Sequence, residues 1–538
     1  FDSEEVGRKL HLSTCIVSLV FTKNMKFSRW KRFFISQRLF HEGSQRHSST
    51  WIEPTGYRTD VNVWNPIEKN VVPFILKNER VATWYMCGPT VYDSAHIGHA
   101  CTYVRFDIIR RILSEFFDIN VVSVMGITDI DDKIIKRSQD TRQDWKKLTK
   151  RYEQEFFDEM KLLNVKPPYL YCKVTDYMPQ IVQFVEKIFS SKGAYMAEDG
   201  SVYFDTSRYD RYGKLQKPLP KESHAVKKST TDFALWKSAK PGEPSWESPW
   251  GAGRPGWHIE CSTIASLTLG NNIDIHSGGI DLLFPHHENE EAQSCCHHGV
   301  DQWVNYWLHS GHLSLKGDEK MSKSLQNTIG IREILEKYSA SQFRLFCLLT
   351  HYRNGIEFSD EKMHNAVTIL RKLKNFLGDC RNYVSGQINY GNVDETVALK
   401  VTTEKVRTAL ANDFDTTKAI FSIQELAAVV NKMINQSEGP KNTYFGKNTA
   451  CVAAVAEYIE KTLSAFGISD VESAEGSRNM LTEVIDDFVN FRQTVRNRAL
   501  EHEAKDRVLL GACDEVRDNL LAYGVQVKVR DLEINSKK

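Results

Sequence analysis

Apolar residues along this chain keep changing their spacing, and each change predicts an element. The run at 81–87, Val-Ala-Thr-Trp-Tyr-Met-Cys, is apolar and aromatic enough for a buried strand, and Gly88-Pro89 supplies the break at which such runs stop. Beyond Gly98, the residues Val104, Ile108, Ile112, Leu113 and Phe116 recur mostly at three- and four-residue steps, as in a helix laying one face on a sheet. The run at 119–127 predicts the second strand of a βαβ unit. From 141 to 230 the pattern changes to charged helices at 145–163 and 179–189, a hairpin around 195–204, and a polar loop rich in Lys, Pro and Ser. Strand and loop patterns resume near Phe233, and 253–310 is dense in Gly, His, Trp and acids. From 361 to 538 helix periodicity dominates, at 367–376, 397–410, 417–434, 452–466 and 480–499.

With 538 residues the chain exceeds what one core sustains. The pattern predicts an α/β fold: a Rossmann-type parallel-sheet domain split by an insertion, followed by an all-helical C-terminal domain. The expected segments are 51–140 for the first half of the sheet domain, 141–230 for the insertion, 231–310 for the second half, 311–360 for a polar loop and connecting region, and 361–538 for the helices. Residues 1–24 precede the first methionine, Met25, and are expected to lie upstream of the natural product. Between 25 and 50, Lys26, Arg29, Lys31, Arg32, Arg38 and Arg46 face one acid, Glu42, among serines and aromatics, the composition of a mitochondrial presequence. The mitochondrial matrix is the expected location. The apolar run 16–21 is too short to span a bilayer, so no membrane span is expected.

Lys plus Arg number 70 against 69 Asp plus Glu, so any nucleic-acid surface must be a local basic patch. The eleven cysteines are scattered, with only Cys295-Cys296 adjacent, which points to a reducing compartment rather than a disulfide scaffold. The helix start at His96-Ile97-Gly98-His99 offers unpaired N–H groups and partial positive charge, a place for phosphate, with Gly98 letting a ligand approach the backbone. Lys320-Met321-Ser322-Lys323-Ser324 lies in a polar loop whose two lysines can swing onto phosphates, although by itself a stretch of this kind is usually only a loop. Cys87, Cys261 and the run Pro285-His286-His287-Glu288-Asn289-Glu290-Glu291 contain zinc-ligand residue types. On a helix starting at Pro285, either His286 with Glu290 or His287 with Glu291 would point the same way. Two buried cysteines beside a surface charge cluster are the plainer reading of the same residues. Asp129, Asp131 and Asp132, followed by Lys133 and Lys136, read as helix-start and flanking charges.

The ordered pair of His96-Ile97-Gly98-His99 and Lys320-Met321-Ser322-Lys323-Ser324 resembles the paired signatures of class I aminoacyl-tRNA synthetases. Within that class, Cys-Gly-Pro-Thr-Val-Tyr at 87–92, Gly-Arg-Pro-Gly-Trp-His-Ile-Glu-Cys-Ser at 253–262, Asp-Ile-His-Ser-Gly-Gly-Ile-Asp at 274–281 and Phe-Pro-His-His-Glu-Asn-Glu at 284–290 look like the cysteinyl-tRNA synthetase family. The resemblance covers about residues 60–360 motif by motif, and with the leader it is to the mitochondrial form. It implies a catalytic zinc held by Cys87, Cys261, His286 and Glu290, a choice between the two histidine–glutamate pairs that belongs to the family and not to spacing. It places Gly88, Thr128, Trp257, His276 and His286 at the cysteine pocket, and His96, Gly98, His99, Lys320 and Lys323 at ATP, with His96, His99, Lys320 and Lys323 as the catalytic set. Lys133-Ile134-Ile135-Lys136 matches a further lysine-pair motif of the family.

The implied reaction is activation of L-cysteine with ATP, accompanied by magnesium, and transfer to the 3′ end of the cysteine tRNA by a monomer. The insertion is expected to hold the tRNA acceptor end, being too short for a separate editing domain, and the C-terminal helices to bind the anticodon. One departure is Leu325-Gln326-Asn327, where the family usually carries glycine in the middle position. Three competing readings leave residues without a role. A small-molecule cysteine ligase does not need the helical tail, a non-catalytic RNA-binding module does not need the intact motifs, and a zinc hydrolase does not need the lysine loop.

Overall fold

The computed structural model describes residues 51–218, 226–315, 328–387, 396–435, 448–469, 480–501 and 506–522. Two antiparallel strands, β1 (Tyr57–Asn65) and β2 (Asn70–Leu76), lead into β3 (Val81–Thr90). β3 feeds α1 (Ile97–Phe117), which returns to β4 (Asn120–Thr128); α2 (Asp132–Thr141) and α3 (Trp145–Leu162) then cross to β5 (Leu170–Lys173). After α4 (Met178–Ser190) comes an antiparallel sheet of β6 (Ala194–Met196), β7 (Val202–Phe204), β8 (Phe233–Ser238) and β9 (Gly253–Pro255). The chain re-enters the main sheet through α5 (Trp257–Leu269), β10 (Ile273–Gly279), α6 (Glu288–His298) and β11 (Val304–Ser310).

The main sheet is parallel throughout, in the order β11-β10-β3-β4-β5. Every residue of β11 is buried, which is why its sequence carries no alternation. Strand order runs outward from β3 through β4 to β5, then restarts on the other side at β10. The reversal between β3 and β10 opens a crevice at their carboxyl ends, the usual ligand position in a doubly wound sheet. Cys87 and Gly88 lie at the end of β3, and Gly278 and Gly279 at the end of β10.

Two expectations change. β3 continues past Gly88-Pro89 to Thr90, with an irregular register between Cys87, opposite Gly126, and Thr90, opposite Thr128. Proline costs the ladder a donor, so pairing lapses locally while the strand goes on. The segment 141–230 is also not a clean insertion. β5 lies inside it yet pairs with β4 as the edge of the main sheet, and the antiparallel sheet draws β8 and β9 from beyond residue 230. Four-residue β5 is too short to stand out from its polar neighbours in sequence.

Beyond β12 (Leu313–Leu315) the described residues continue through α7 (Ile331–Lys337) and α8 (Ala340–Leu348) to β13 (Ile356–Phe358), which pairs with β12. The helical region follows: α9 (Asp360–Val384), α10 (Thr396–Ala411), α11 (Thr416–Ile434), α12 (Thr449–Ala465), α13 (Met480–Glu501) and α14 (Arg507–Ala522). One apolar cluster runs from Trp84 and Ile108 through Phe343 and Leu345 to Phe376, Leu410 and Ile459, so the first helices after the sheet share its core. No described helix is long and apolar enough to cross a membrane.

Candidate active site

A cavity of about 280 Å³ opens over the carboxyl ends of β3 and β10. Cys87, Gly88, Thr128, Trp257, Cys261 and His286 line it together with His96, Gly98 and His99, so most of the residues expected at the amino acid and at ATP share one space. Gly88 has a steric reason to be glycine, since a Cβ there would stand 2.0 Å from the Gly126 carbonyl oxygen and 2.9 Å from Met125 Cγ. Gly88→Ala is expected to lower stability by about 1–3 kcal/mol, the usual cost of overpacking, because a backbone carbonyl cannot step aside. A urea titration reads this, and a variant as stable as the parent would show that β3 and β4 part easily at this end.

Next to Gly88, four side chains converge, from β3, α5, α6 and the turn that precedes α6. Cys87 Sγ lies 3.9 Å from Cys261 Sγ, on the second turn of α5, and 3.7 Å from Glu290 Oε1. His286 Nε2 lies 3.0 Å from Glu290 Oε1. One ligand atom from each of Cys87, Cys261, His286 and Glu290 falls within 4.8 Å of the others, and all four residues are buried. A second group within the same limit, Cys87, His276, His287 and Glu290, shares two of these residues. The expected helix start at Pro285 moves: α6 begins at Glu288, and Leu283–His287 form a separate turn in which Phe284 is extended. His286 and Glu290 meet across that junction, while His287 turns the other way, its Nε2 3.4 Å from Cys87 Sγ and its Nδ1 2.8 Å from His309 Nε2. Glu291 pairs with Lys214 instead.

Further polar contacts aim these groups. His258 Nδ1 lies 2.8 Å from His286 Nδ1, which leaves His286 Nε2 turned toward Glu290 and the thiols. His276 Nε2 lies 2.8 Å from Glu290 Oε2 and holds the carboxylate from behind. His276, expected in the cysteine pocket, is fully buried and, like Glu290, is not among the cavity-lining residues. Burial opposes ionisation of Glu290, yet His276 and His286 hold it down at about 2. Burial likewise opposes charging His286, but Glu290 and Cys261 raise it to about 10. Of the two thiols Cys261 ionises first, brought to about 6 by the hydrogen bond with Cys87 and assisted by His286. Burial keeps His258 and His287 neutral and drops His309 to about 3. The cluster brings together two sulfurs, a carboxylate and an imidazole, the residue types a soft divalent metal takes once their protons are displaced.

At the start of α1, His96 caps the helix: the Gly98 N–H donates to His96 Nδ1 at 3.1 Å, and the His96 N–H donates to His99 Nδ1 at 3.2 Å. The two rings stack at 3.9 Å. Asp131 caps α2 by accepting the Lys133 N–H, Asp132 pairs with Lys237 and Arg254, and Asp129 accepts from Thr175, so these acids have structural partners. Lys320, Lys323 and Gln326 lie outside the described residues. The sequence reading missed His258 and His309 as neighbours of the cluster, and placed His287 with Glu291 where the structure sets it against Cys87 and His309. His258 sits three residues before Cys261, on the same face of a helix, and was detectable that way; nothing local marks His309.

The family model for the class I (C) tRNA synthetase catalytic domain matches residues 74–368. Solved structures agree on the fold. The methionyl-tRNA synthetase of Mycobacterium tuberculosis bound by methionyl-adenylate is 15% identical with a TM-score of 0.53, covering 72% of this chain and 90% of that one. An Agrobacterium radiobacter LeuRS in a ternary complex with tRNA is 10% identical with a TM-score of 0.55, covering 78% and 87%. The family model makes this a class I aminoacyl-tRNA synthetase, and the parallel sheet with its helical C-terminal region is the fold those structures share. Two relatives narrow the class. The Xenopus tropicalis protein named probable cysteine–tRNA ligase, mitochondrial, is 43% identical over 515 residues, 89% of this chain and 90% of that protein. The cytoplasmic cysteine–tRNA ligase of Dictyostelium discoideum is 40% identical over 521 residues, 89% and 78% respectively. The chain belongs to the cysteine–tRNA ligase family and is an enzyme of that ligase class.

Proposed function

We propose that this enzyme activates L-cysteine with ATP, accompanied by magnesium, and esterifies the cysteine tRNA in the mitochondrial matrix, with Cys87, Cys261, His286 and Glu290 as a zinc site that reads the substrate thiol. The observation that carries the site is the convergence of those four ligand atoms within 4.8 Å beside the phosphate-type start of α1. The alternative group of Cys87, His276, His287 and Glu290 is less suited to a substrate, because His276 and His287 are fully buried and do not line the cavity, whereas Cys261 and His286 do. The matrix reading is supported by the basic, acid-poor composition of 25–50 and by the mitochondrial name of the Xenopus relative.

Cysteine and serine differ in one heavy atom, and a pocket reading shape alone separates such near-isosteres by no more than roughly two orders of magnitude. A zinc ion would supply a soft Lewis-acid position that accepts a thiolate and takes a hydroxyl poorly. Gly88, Thr128 and Trp257 then shape the space around the amino acid, and Trp257 packs its ring 4.2 Å from that of His286. The cysteine carboxylate attacks the α-phosphorus of ATP, pyrophosphate leaves, and the acyl group passes to a ribose hydroxyl at the tRNA 3′ end with AMP departing. His96 and His99 donate to the phosphates near the start of α1, and Lys320 and Lys323 meet the negative charge that grows in the transition state. The 141–230 segment receives the acceptor end and the C-terminal helices the anticodon.

The direct test is cysteine-dependent pyrophosphate exchange and charging of mitochondrial cysteine tRNA by the purified chain, run beside metal analysis of the same sample. About one zinc per chain with both activities is expected. Exchange stimulated equally by serine, or activity in a preparation free of zinc, would overturn the reading.

A further inference from the structure

The lysine-pair motif has no task in the scheme above, although half of it faces the cavity. Ile134 and Ile135 are buried and anchor α2, while Lys133 and Lys136 stand exposed. Lys133 lines the cavity and Lys136 does not. Among the described residues lining the cavity, Lys133 is the one lysine or arginine.

The acids around Lys133 make contacts other than with its ammonium. Asp131 accepts the Lys133 backbone N–H, Asp132 pairs with Lys237 and Arg254, and Arg137 reaches Asp93 at 3.6 Å. Among the described residues, no carboxylate is ion-paired with the Lys133 ammonium, which stands 5.7 Å over the half-buried ring of Tyr92, another cavity residue. Such a cation-over-ring contact orients an ammonium without neutralising it. An unneutralised, oriented cation on the wall of a site that handles nucleotides is suited to a phosphate oxygen.

Two anions enter this cavity, the ATP phosphates and the last phosphodiester of the tRNA. The position of α2 separates them. Asp132, next to Lys133, is salt-bridged to β8 through Lys237 and to β9 through Arg254, so Lys133 lies on the wall shared with the antiparallel sheet. The ATP end of the cavity is instead at the start of α1. We propose that Lys133 binds the phosphodiester of the incoming tRNA 3′ terminus during acyl transfer. This rests on the reading that the tRNA is charged in this cavity.

The test compares Lys133→Ala, Lys133→Arg and Lys136→Ala in two assays on the full chain: cysteine-dependent pyrophosphate exchange without tRNA, and single-turnover transfer from preformed cysteinyl-adenylate to the cysteine tRNA. Lys133→Ala is expected to keep exchange within about twofold and to slow transfer about tenfold to a hundredfold, the usual scale for one charge-assisted contact. Lys133→Arg restores most of the transfer rate, and Lys136→Ala changes neither assay by more than about twofold. An equal loss in both assays would assign the contact to ATP and overturn the proposal, as would unchanged transfer in Lys133→Ala. Because Lys133 is exposed, its replacement leaves the fold intact. A parent chain that fails both assays refutes the ligase reading itself, separately from the role of Lys133.

Discussion

Cys261→Ser is expected to reduce zinc to well below one per chain and to slow cysteine activation by about a hundredfold to a thousandfold, the scale for losing one preorganised electrostatic group. Cys261 sits on α5 with its sulfur 3.9 Å from that of Cys87, and it is the thiol that ionises first of the two. A serine hydroxyl fills nearly the same space but stays protonated, so the cluster would keep its shape and lose its thiolate. Metal analysis and pyrophosphate exchange on the same sample read both effects, with the circular dichroism spectrum of the parent as control. Full zinc occupancy in the variant would exclude Cys261 as a ligand. Full activity with depleted zinc would separate the metal from the chemistry.

Arg344→Met is expected to cost about 3–5 kcal/mol of stability, because it breaks a buried ion pair and leaves its partners stranded. Arg344 is fully buried on α8. It pairs with Asp107 of α1 at 2.5 Å and donates to the carbonyls of Phe466, Leu163 and Asn164. Those carbonyls follow the ends of α12 and α3, so one guanidinium ties four segments of the chain together. Gly467 leaves room for it, since a Cβ there would lie 2.5 Å from the guanidinium. Arg111 also holds Asp107, at 2.7 Å, and already donates to the Asn164 carbonyl, so the carbonyls that lose their donor are those of Phe466 and Leu163. Arg344→Lys should recover less than half of the loss, since an ammonium lacks the planar fork. The midpoint of the first urea transition measures both variants. A cost under about 1 kcal/mol for Arg344→Met would show that this junction is held by its apolar cluster alone.

Neither residue announces these contacts in the chain. Arg344 lies in a short helix where an arginine reads as a solvated charge, and burial becomes apparent only when α1, α3 and α12 are packed around it. Local features were far more legible. The strand before Cys87, the helix after His96, the charged helices of 145–163 and 179–189 and the hairpin at 195–204 follow from periodicity and end signals, and each has its counterpart among the described elements. β5 was missed because four residues carry too little pattern. The extension of β3 past Pro89 was missed because a lost backbone donor interrupts a ladder without ending the strand.

Residue order and spacing alone therefore determined most of the element types, the helix start at His96 and, through the motifs at 87–92, 253–262 and 284–290, the family. These depend on neighbours within a turn or two, or on patterns read as text. Tertiary structure decided which donors share a cluster. Cys87 and Cys261 are 174 residues apart and meet because β10 enters the sheet beside β3, which carries α5 and α6 over the end of β3. His286 and His287 are adjacent and chemically alike, yet one faces Glu290 from the cavity side and the other turns to His309. A single residue step just before α6 brings the two imidazoles to Cys87 and Glu290 from different sides, and the partners that fix each ring come from α5 and β11, which no local spacing can bring together.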